Sequence, residues 1–542
     1  MSELLQAQLL QPINVTPIQP RLAESNLFLI GQGGPGALSF NEFNPLFSRD
    51  RLALQLSGLG AEHSTYGVEP VVAGMYRNLS FSAGWTRFKT DGFRVNNDQK
   101  DDIVNVFAQA ELTSQTSVQA EYRHRETVTG DLFPLFFPDE IRQNQRQDST
   151  SNSIRLGARH AFGPGSILLA SFMYQKIDLA NVDRDPPIIV SQTLTQDDHA
   201  IGGELQHLFR WRSLDLVNGV GYFDVSAAHL FVLNLVFPPS PDDPGGPLTQ
   251  SLPIDPSLRH FNLYSYAHIH LPLRLTLTLG CSADFKESAL QGNAAQANPK
   301  VGVIWSPFAG TTVRAALLRA FKRELIADQT LEPTQVAGFN QLFDDINGTR
   351  SWRYGVALDQ RVSRDLLGGV EGTIRDLPTV PFVVPQPSGP PLRTDGDWKE
   401  YQARAYWLWT PFDWLASRAE YSFERLVRSA NVTAGVRNTR THRVQVGVNA
   451  FHRTGLGASA TATYYNQIGT FGEGLFRAGS DRFWLFDASL GWRLPERYGL
   501  VSVAATNLTD HHFNLFENGF ANSNPTVAPA RAIIGRVTLA LP

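Results

Sequence analysis

One cysteine stands among 542 residues. Cys281 alone excludes an intrachain disulfide, a cysteine zinc site and a Cys-x-x-Cys redox pair. No apolar run approaches the ~18 residues of a membrane-spanning helix. The nearest, Leu230 to Phe237, is far too short. A surplus of positive charge is missing as well. Lys plus Arg total 47 against 51 Asp plus Glu, a net charge of −4, which gives no footprint for nucleic acid. Hydrophobic residues are only 42%, few for one large core. Met1 to Pro20 holds no Lys or Arg, and Glu3 stands where a secretory signal would be basic. There is no Gly-x-Ser-x-Gly elbow, no His-Glu-x-x-His and no Walker loop, so no catalytic residue is assigned.

What the chain does have is a period of two. From Leu273 to Lys286, Leu273, Leu275, Leu277, Leu279, Cys281, Ala283 and Phe285 alternate with Arg274, Thr276, Thr278, Gly280, Ser282, Asp284 and Lys286. A strand sends successive side chains to opposite faces, so this segment has one apolar and one polar face. Val104, Val106 and Ala108 oppose Asn105 and Gln109 in the same way. So do Val118, Ala120 and Tyr122 against Gln119, Glu121 and Arg123, and Trp484, Phe486 and Leu490 against Asp487 and Ser489. These runs span roughly 10–14 residues, whereas soluble strands centre on about 5–6 and membrane-spanning strands need ~9–11.

The links alternate too. Short ones sit at Arg77-Asn78, Ser114 to Thr116, Gly163 to Gly165, Pro272, Ala309-Gly310, Arg364, Pro411-Phe412, Thr454-Gly455 and Pro495 to Tyr498. Long polar ones run Gly130 to Thr150, Pro238 to Pro256, Arg323 to Gly348, Val384 to Trp398 and Thr509 to Ala530. Aromatics cluster at strand ends, as with Trp407, Trp409 and Trp414 around one short turn. The pattern predicts an all-β chain: a transmembrane antiparallel up-and-down β-barrel of about 22 strands, with short periplasmic turns and long extracellular loops. The barrel is expected over 50–542. Residues 1–49 are expected to be a linker and helical stub, partly in the lumen. "SELLQAQLLQP" reads as the tail of a helix stopped by Pro12, as if an N-terminal part preceded it.

The ending carries a resemblance. "FDASLGWRLPERYGLVSVAATNLTDHHFN", followed by "ARAIIGRVTLALP", resembles the C-terminal signature of TonB-dependent outer-membrane receptors. Asn507, Leu508 and Asp510 stand where that family has Asn-Leu-Phe-Asp, and the closing strand holds Arg531 and Arg536. "NPKVGVIWSPFAGTTVRAALLRAFKRE", from Asn298, looks like the family's mid-barrel strand pair. Two departures stand out. About fifty residues precede the first alternating strand, too few for the family's plug, and the last residue is Pro542 rather than an aromatic. "SFNEFNPLFSRDR" and "SVQAEYRHRETVTGDLF" are similar to proteobacterial outer-membrane proteins in which tetratricopeptide repeats precede a plugless barrel.

The resemblance implies a Gram-negative outer membrane, a transport conduit for an unidentified solute or polymer, no cofactor and no enzymatic step. The partners it implies are outer-membrane lipid and lipopolysaccharide, the barrel assembly machinery, and a periplasmic tetratricopeptide or TonB-type protein. Candidate lumen-facing residues are Arg274, Asp284, Gln119, Glu121, Arg123, Arg404, Arg418, Glu420 and Arg536. Two other readings stay open: an anchor or assembly barrel for a periplasmic repeat domain, and an export pore for polysaccharide.

Three motifs have the composition of a ligand or contact site. The acidic stretch Asp91 to Asp102 has the oxygen density of a Ca²⁺ loop but not EF-hand spacing, so a solvated hairpin is expected. His268 and His270 share a strand face without a third ligand nearby in sequence, and no metal is assigned. "DLFPLFFPDE", around Phe133 to Phe137, is too apolar for a plain exposed loop. It is expected to enter the lumen, touch a partner or lipid, or pack on neighbouring loops.

Overall fold

The computed structural model describes residues 50–541, apart from 133–134, 185–188, 238–245, 289, 291, 324–329, 344, 385–391, 433, 474 and 518–529. The N-terminal stub and Pro542 therefore lie outside the described residues. The strands are β1 (Arg51–Ala61), β2 (Thr65–Tyr76), β3 (Leu79–Thr90), β4 (Gln99–Thr113), β5 (Thr116–Thr129), β6 (Arg146–Gly163) and β7 (Ser166–Asp183). β8 (Ile189–Trp211) and β9 (Leu214–Phe237) are the longest, at 23 and 24 residues. β10 (Gly246–Ile254) and β11 (Leu258–Leu271) share one place, because both pair with β9, one along each half. Next come β12 (Leu275–Ser288), β13 (Ala294–Trp305) and β14 (Thr311–Phe321). β15 (Gln335–Val336) and β16 (Phe339–Asn340) form a separate hairpin. The barrel resumes with β17 (Arg350–Arg361), β18 (Leu366–Val384), β19 (Leu392–Phe412), β20 (Leu415–Arg428) and β21 (Ala434–Phe451). It ends with β22 (Leu456–Glu473), β23 (Arg477–Arg493), β24 (Gly499–Thr506) and β25 (Ala532–Leu541).

β25 pairs antiparallel with β1, with Leu54 opposite Leu541 and Ala61 opposite Ile534. The sheet is thus a closed antiparallel barrel of 22 strands. Closure leaves no edge, so every strand's backbone groups are satisfied by a neighbour.

The two faces are inverted relative to a soluble protein. On β4, Val104 and Val106 are exposed while Asn105 between them is buried. On β5, Tyr122 is exposed while Gln119 and Glu121 are buried. On β23, Trp484, Phe486, Leu490 and Trp492 are all exposed. An apolar outer surface of this extent is stable only against hydrocarbon. Two aromatic rings bound it. Tyr76, Phe162, Trp211, Trp305, Phe308, Phe412, Trp414 and Trp492 mark the short-turn end. Tyr122, Tyr222, Tyr354, Tyr421 and Trp484 mark the other. Several of the second set reach a polar outer group. The Tyr122 hydroxyl donates to Asn152 Oδ1 at 3.0 Å, and the Tyr421 hydroxyl lies 2.9 Å from His442 Nδ1. That fits an interface where an amphipathic ring spans hydrocarbon and water.

Two expectations need correction. The strands run to 24 residues rather than 14, because they continue past the apolar band on the long-loop side. The strand through Asp284 begins at Leu275, not Leu273. Leu273 and Arg274 have left-handed backbones (φ 62° and 57°) and form the turn, so alternation of apolar and polar residues runs straight through it.

Candidate functional site

The buried polar face lines the lumen, and part of that lumen is occupied. The described residues 330–343 between β14 and β17 turn inward rather than out to solvent. Their hairpin buries Val336, Ala337 and Phe339 against Val217, Tyr264, Tyr266, Leu318 and Ala357 of the wall, and Leu342 and Phe343 are buried as well. Two wall glycines make room. A Cβ on Gly302 would lie 2.8 Å from the Ala337 Cβ, and one on Gly355 would lie 2.5 Å from the Phe339 ring. Arg314 stacks on Phe339 at 5.3 Å while pairing with Asp359 and Glu371 at 3.0 and 3.2 Å.

Four buried charges clip this segment to the wall. Glu332, on the segment, accepts from Lys300 Nζ of β13 at 3.2 Å, from the Tyr266 hydroxyl at 2.6 Å and from Arg323 at 2.8 Å. Arg323 also lies 3.6 Å from Glu204 of β8. Glu204 accepts in turn from the Thr330 hydroxyl at 2.7 Å and the Leu331 N–H at 2.8 Å. Signs alternate along Glu204, Arg323, Glu332 and Lys300, so the buried cluster is neutral overall. Burial by itself would push the Glu332 carboxyl up, but Lys300 and Arg323 outweigh it and hold it down at about 2. Further along, Arg375 stacks on Phe343 at 3.6 Å and pairs with Asp345 of the segment and with Glu400 of β19.

Two more loop groups converge on β22 and β23. Asn96 Nδ2 donates to the carbonyls of Arg142 and Gln145 at 2.7 and 2.9 Å, and Asn97 Nδ2 to that of Asp131 at 2.9 Å. These bonds fasten the β3–β4 loop to the β5–β6 loop. From that base Phe136 reaches across to stack on Phe471 of β22, centroids 4.2 Å apart, and Arg477 covers Phe137 at 4.0 Å. Of the expectations for this apolar stretch, Phe136 meets two: it lies on the inner face of β22, against Phe471, and in one cluster with Phe516 of a neighbouring loop; residues 133–134 lie outside the described set. Next to Phe136, Phe516 lies 5.6 Å from Phe471 and exchanges backbone hydrogen bonds with the Gln467 side chain of β22, and Phe513 stacks on Phe483 of β23 at 4.3 Å.

The C-terminal motif anchors the loop that carries Phe513 and Phe516. Asn507 has a left-handed backbone (φ 47°) and is 1% exposed. Its N–H donates to Asp487, its Oδ1 accepts from the His511 N–H, and its Nδ2 donates to the His511 carbonyl, each at 2.9 Å. The Leu508 N–H donates to the Phe486 carbonyl at 2.8 Å. Asp510 accepts from the Arg531 N–H at 2.9 Å, and that bond holds its carboxyl below the usual range. The motif thus ends β24 and pins both ends of the following loop.

Other sequence candidates fall as follows. Asp284 is buried, bonded to His260 at 2.9 Å and Asn298 at 2.5 Å. Glu121 pairs with Arg155 and accepts from Asn105 at 2.5 Å. Gln119 is buried beside them and Arg123 is half-buried. Glu420 is bracketed by Arg404 at 2.9 Å and Arg443 at 2.8 Å. Arg418 lies against Gly447, and Arg536 is half-buried on β25. Arg274 is the exception: it is exposed in a turn at the short-turn end, away from the barrel wall. Three of the four carboxylates in Asp91–Asp102 have cationic partners: Asp98 pairs with Arg146, Asp101 with Arg125, and Asp102 with Lys100. His268 bonds Thr278, and His270 bonds Asp215. Among the described residues, no group of three His, Cys, Asp or Glu side chains converges as metal ligands.

Residues 65–364 match the family model described as TonB dependent receptor-like, beta-barrel. The chain belongs to the TonB-dependent receptor β-barrel family. It is therefore an outer-membrane protein of the receptor and transporter type, in a family that works with periplasmic TonB-type partners. Solved barrels of this family superpose over nearly the whole chain. The FrpB iron transporter from Neisseria meningitidis shares 13% identity, covering 91% of this chain and 82% of its own, with a TM-score of 0.69. The siderophore receptor PiuA from Acinetobacter baumannii shares 11% (91% and 82%, TM-score 0.68), and the copper transporter OprC 13% (91% and 81%, TM-score 0.68). No curated protein matches in sequence. For this TonB-dependent receptor barrel, sequence reading missed the Glu204, Tyr266, Lys300, Arg323 and Glu332 clip. The available signal was "LEPTQVAGFN", an apolar stretch inside a link read as polar.

Proposed function

We propose that this barrel is a transport conduit for a hydrophilic, anionic solute, gated from within by the segment between β14 and β17. The observation that carries the charge preference is the inner belt of β19–β21. There Arg404, Arg418 and Arg443 stand against Glu420 and Glu424, three cations to two carboxylates along the inner wall. Gln119, Glu121, Arg123, Asp284 and Arg536 extend the same polar path. The named cargoes of the similar structures, iron, siderophores and copper, suggest metal chelates as one class of solute. A periplasmic TonB-type or tetratricopeptide partner would act from the short-turn end, where both β1 and β25 have their outer termini.

The test is single-channel recording of the purified barrel in a planar bilayer under a salt gradient. The reading expects large openings, since barrels of 16–18 strands already leave an aqueous channel, and a reversal potential on the anion side. Cation selectivity that is unchanged by Arg404→Gln with Arg443→Gln would refute the anionic solute. The anchor reading is favoured by one observation, the lumen segment itself. A barrel that stays closed even when that segment is released would make it the better one.

A further inference from the structure

The segment between β14 and β17 touches the wall at a second place, apart from the Glu332 clip. On β17 and β18, Arg353 and Arg375 are directly opposed across the strand pair, and both are buried on the inner face. Like charges so placed repel. Glu400 of β19, next in the same row, answers one of them, 2.6 Å from Arg375 Nη1. The segment supplies the rest. Its Phe343 ring lies against both guanidiniums, with its centroid 3.6 Å from Arg375 and 4.9 Å from Arg353. Its Asp345 carboxylate accepts from the other Arg375 nitrogen, Nη2.

The surroundings favour an organic anion. Arg428 of β20 stacks on Trp398 at 4.2 Å and is attracted to both Asp345 and Glu400. Arg375 Nε is buried and has no hydrogen-bond partner among the described residues, so the site has a donor to spare. Immediately after Asp345, Ile346 packs on the apolar cluster of Leu377, Val380, Trp398 and Val432. Release of the segment would therefore bare an arginine pair beside an apolar floor. A lone inorganic ion would use the arginines and leave that floor wet; a ring with a carboxylate would use both.

We propose that Arg353 and Arg375 form a solute site that the closed gate itself occupies, with Phe343 and Asp345 standing in for the ring and the carboxylate of an aromatic carboxylate solute. Arginine suits that solute, because its planar fork binds a carboxylate along one edge while its face stacks on a ring. Solute and segment exclude each other there. Binding then favours the open gate through its differential affinity for the two states. The inference rests on the gated conduit proposed above, and adds to it the class of solute and what triggers opening.

The test uses the full chain, in nanodiscs for calorimetry and in planar bilayers for single-channel records. The probe is 3-phenylpropionate, a ring and a carboxylate on a short tether. It should bind saturably and make openings more frequent. Asp345→Asn removes the tethered competitor and should tighten probe binding at least about tenfold, the worth of one charge-assisted hydrogen bond. Arg375→Gln breaks the same ion pair from the wall side, yet should weaken probe binding by at least as much. Opposite shifts from the two halves of one ion pair are not what a merely structural contact gives. Glu332→Gln, which frees the segment at the clip, should tighten binding as Asp345→Asn does, because apparent affinity scales with the population of the competent state. Persistence of the heat-modifiable band certifies that each variant is folded. Shifts of the same sign in Asp345→Asn and Arg375→Gln, or no shift in either, would overturn the site. So would 3-phenylpropanol binding as tightly, since the carboxylate is then not read, or acetate competing equally, since the ring is then not read. Anion-selective currents without probe binding would overturn the site and leave the conduit standing; cation-selective currents would overturn the anionic conduit itself.

Discussion

Neutralising Glu332 should open the lumen without unfolding the barrel. Glu332→Gln keeps the side chain's shape and removes its charge, leaving Lys300 without a carboxylate and Arg323 with only Glu204 at 3.6 Å. Breaking a buried pair by neutralising one partner costs about 3–5 kcal/mol. Two weakened charge-assisted hydrogen bonds at ~1.5–3 kcal/mol each give the same range. Lys300 and Tyr266 belong to the wall, whereas Glu332 lies on the segment. The strand ladder is untouched, so the cost falls on docking. The ratio of docked to released segment then falls by about two to four orders of magnitude. Single-channel records should show rare openings becoming frequent, while the heat-modifiability midpoint stays within a few degrees. Lys300→Met combined with Glu332→Met should recover much of the docking, since an apolar pair of similar volume removes the stranded charge. Unchanged gating in Glu332→Gln, together with unchanged protease resistance of residues 330–343, would refute the clip as the element that holds the segment.

Further predictions follow from the same geometry. Gly302→Leu, whose Cβ alone would lie 2.8 Å from the Ala337 Cβ, should push the hairpin off the wall and make openings more frequent in single-channel records; unchanged openings would contradict the docking. Glu332 is depressed to about 2, so its contribution to docking is complete above the ordinary carboxylate value of 4.5 and is lost as pH falls toward 2. Opening probability should be flat from pH 8 to pH 5 and rise below about 4.5; a rise centred near neutrality would contradict the assignment. Asn507→Ala should lower the thermal midpoint more than Leu508→Ala, by about 1–3 kcal/mol per stranded buried group. Asn507→Gly, which accepts the left-handed backbone but makes no side-chain bond, should recover only the backbone part of that loss.

The fold was legible because a barrel in lipid writes itself in a local code. Val104 against Asn105 and Trp484 against Asp487 each declare which neighbour meets hydrocarbon, and the count of such runs gave the closed 22-strand ring. The same code misled at Leu273-Arg274, where the alternation continues into a turn that only backbone geometry reveals. The Asn507 motif was visible as a family ending, but its work was not. That the side chain clamps His511 from both sides depends on a backbone conformation no spacing rule specifies.

The gate was illegible for a different reason. Glu204 and Glu332 are 128 positions apart, and each stands in a segment where a carboxylate needs no explanation. One is on the polar face of a strand and the other in a long link. Only the inward curvature of the wall through β9, β11 and β12 brings β8 and β13 to the same inward chain, and only then are four charges forced out of water together. The glycines point the same way. Gly302 and Gly355 look like ordinary gaps in alternation, yet each is where a wall strand lets the hairpin approach within a side chain's breadth. In a barrel the wall is therefore read along the sequence, whereas what fills it is decided by contacts across the ring. Substitutions on the wall's inner face opposite the segment, such as Gly355→Leu against Phe339, should alter gating before they alter folding. That ordering is what separates a gate docked onto a finished barrel from a core the barrel needs in order to form.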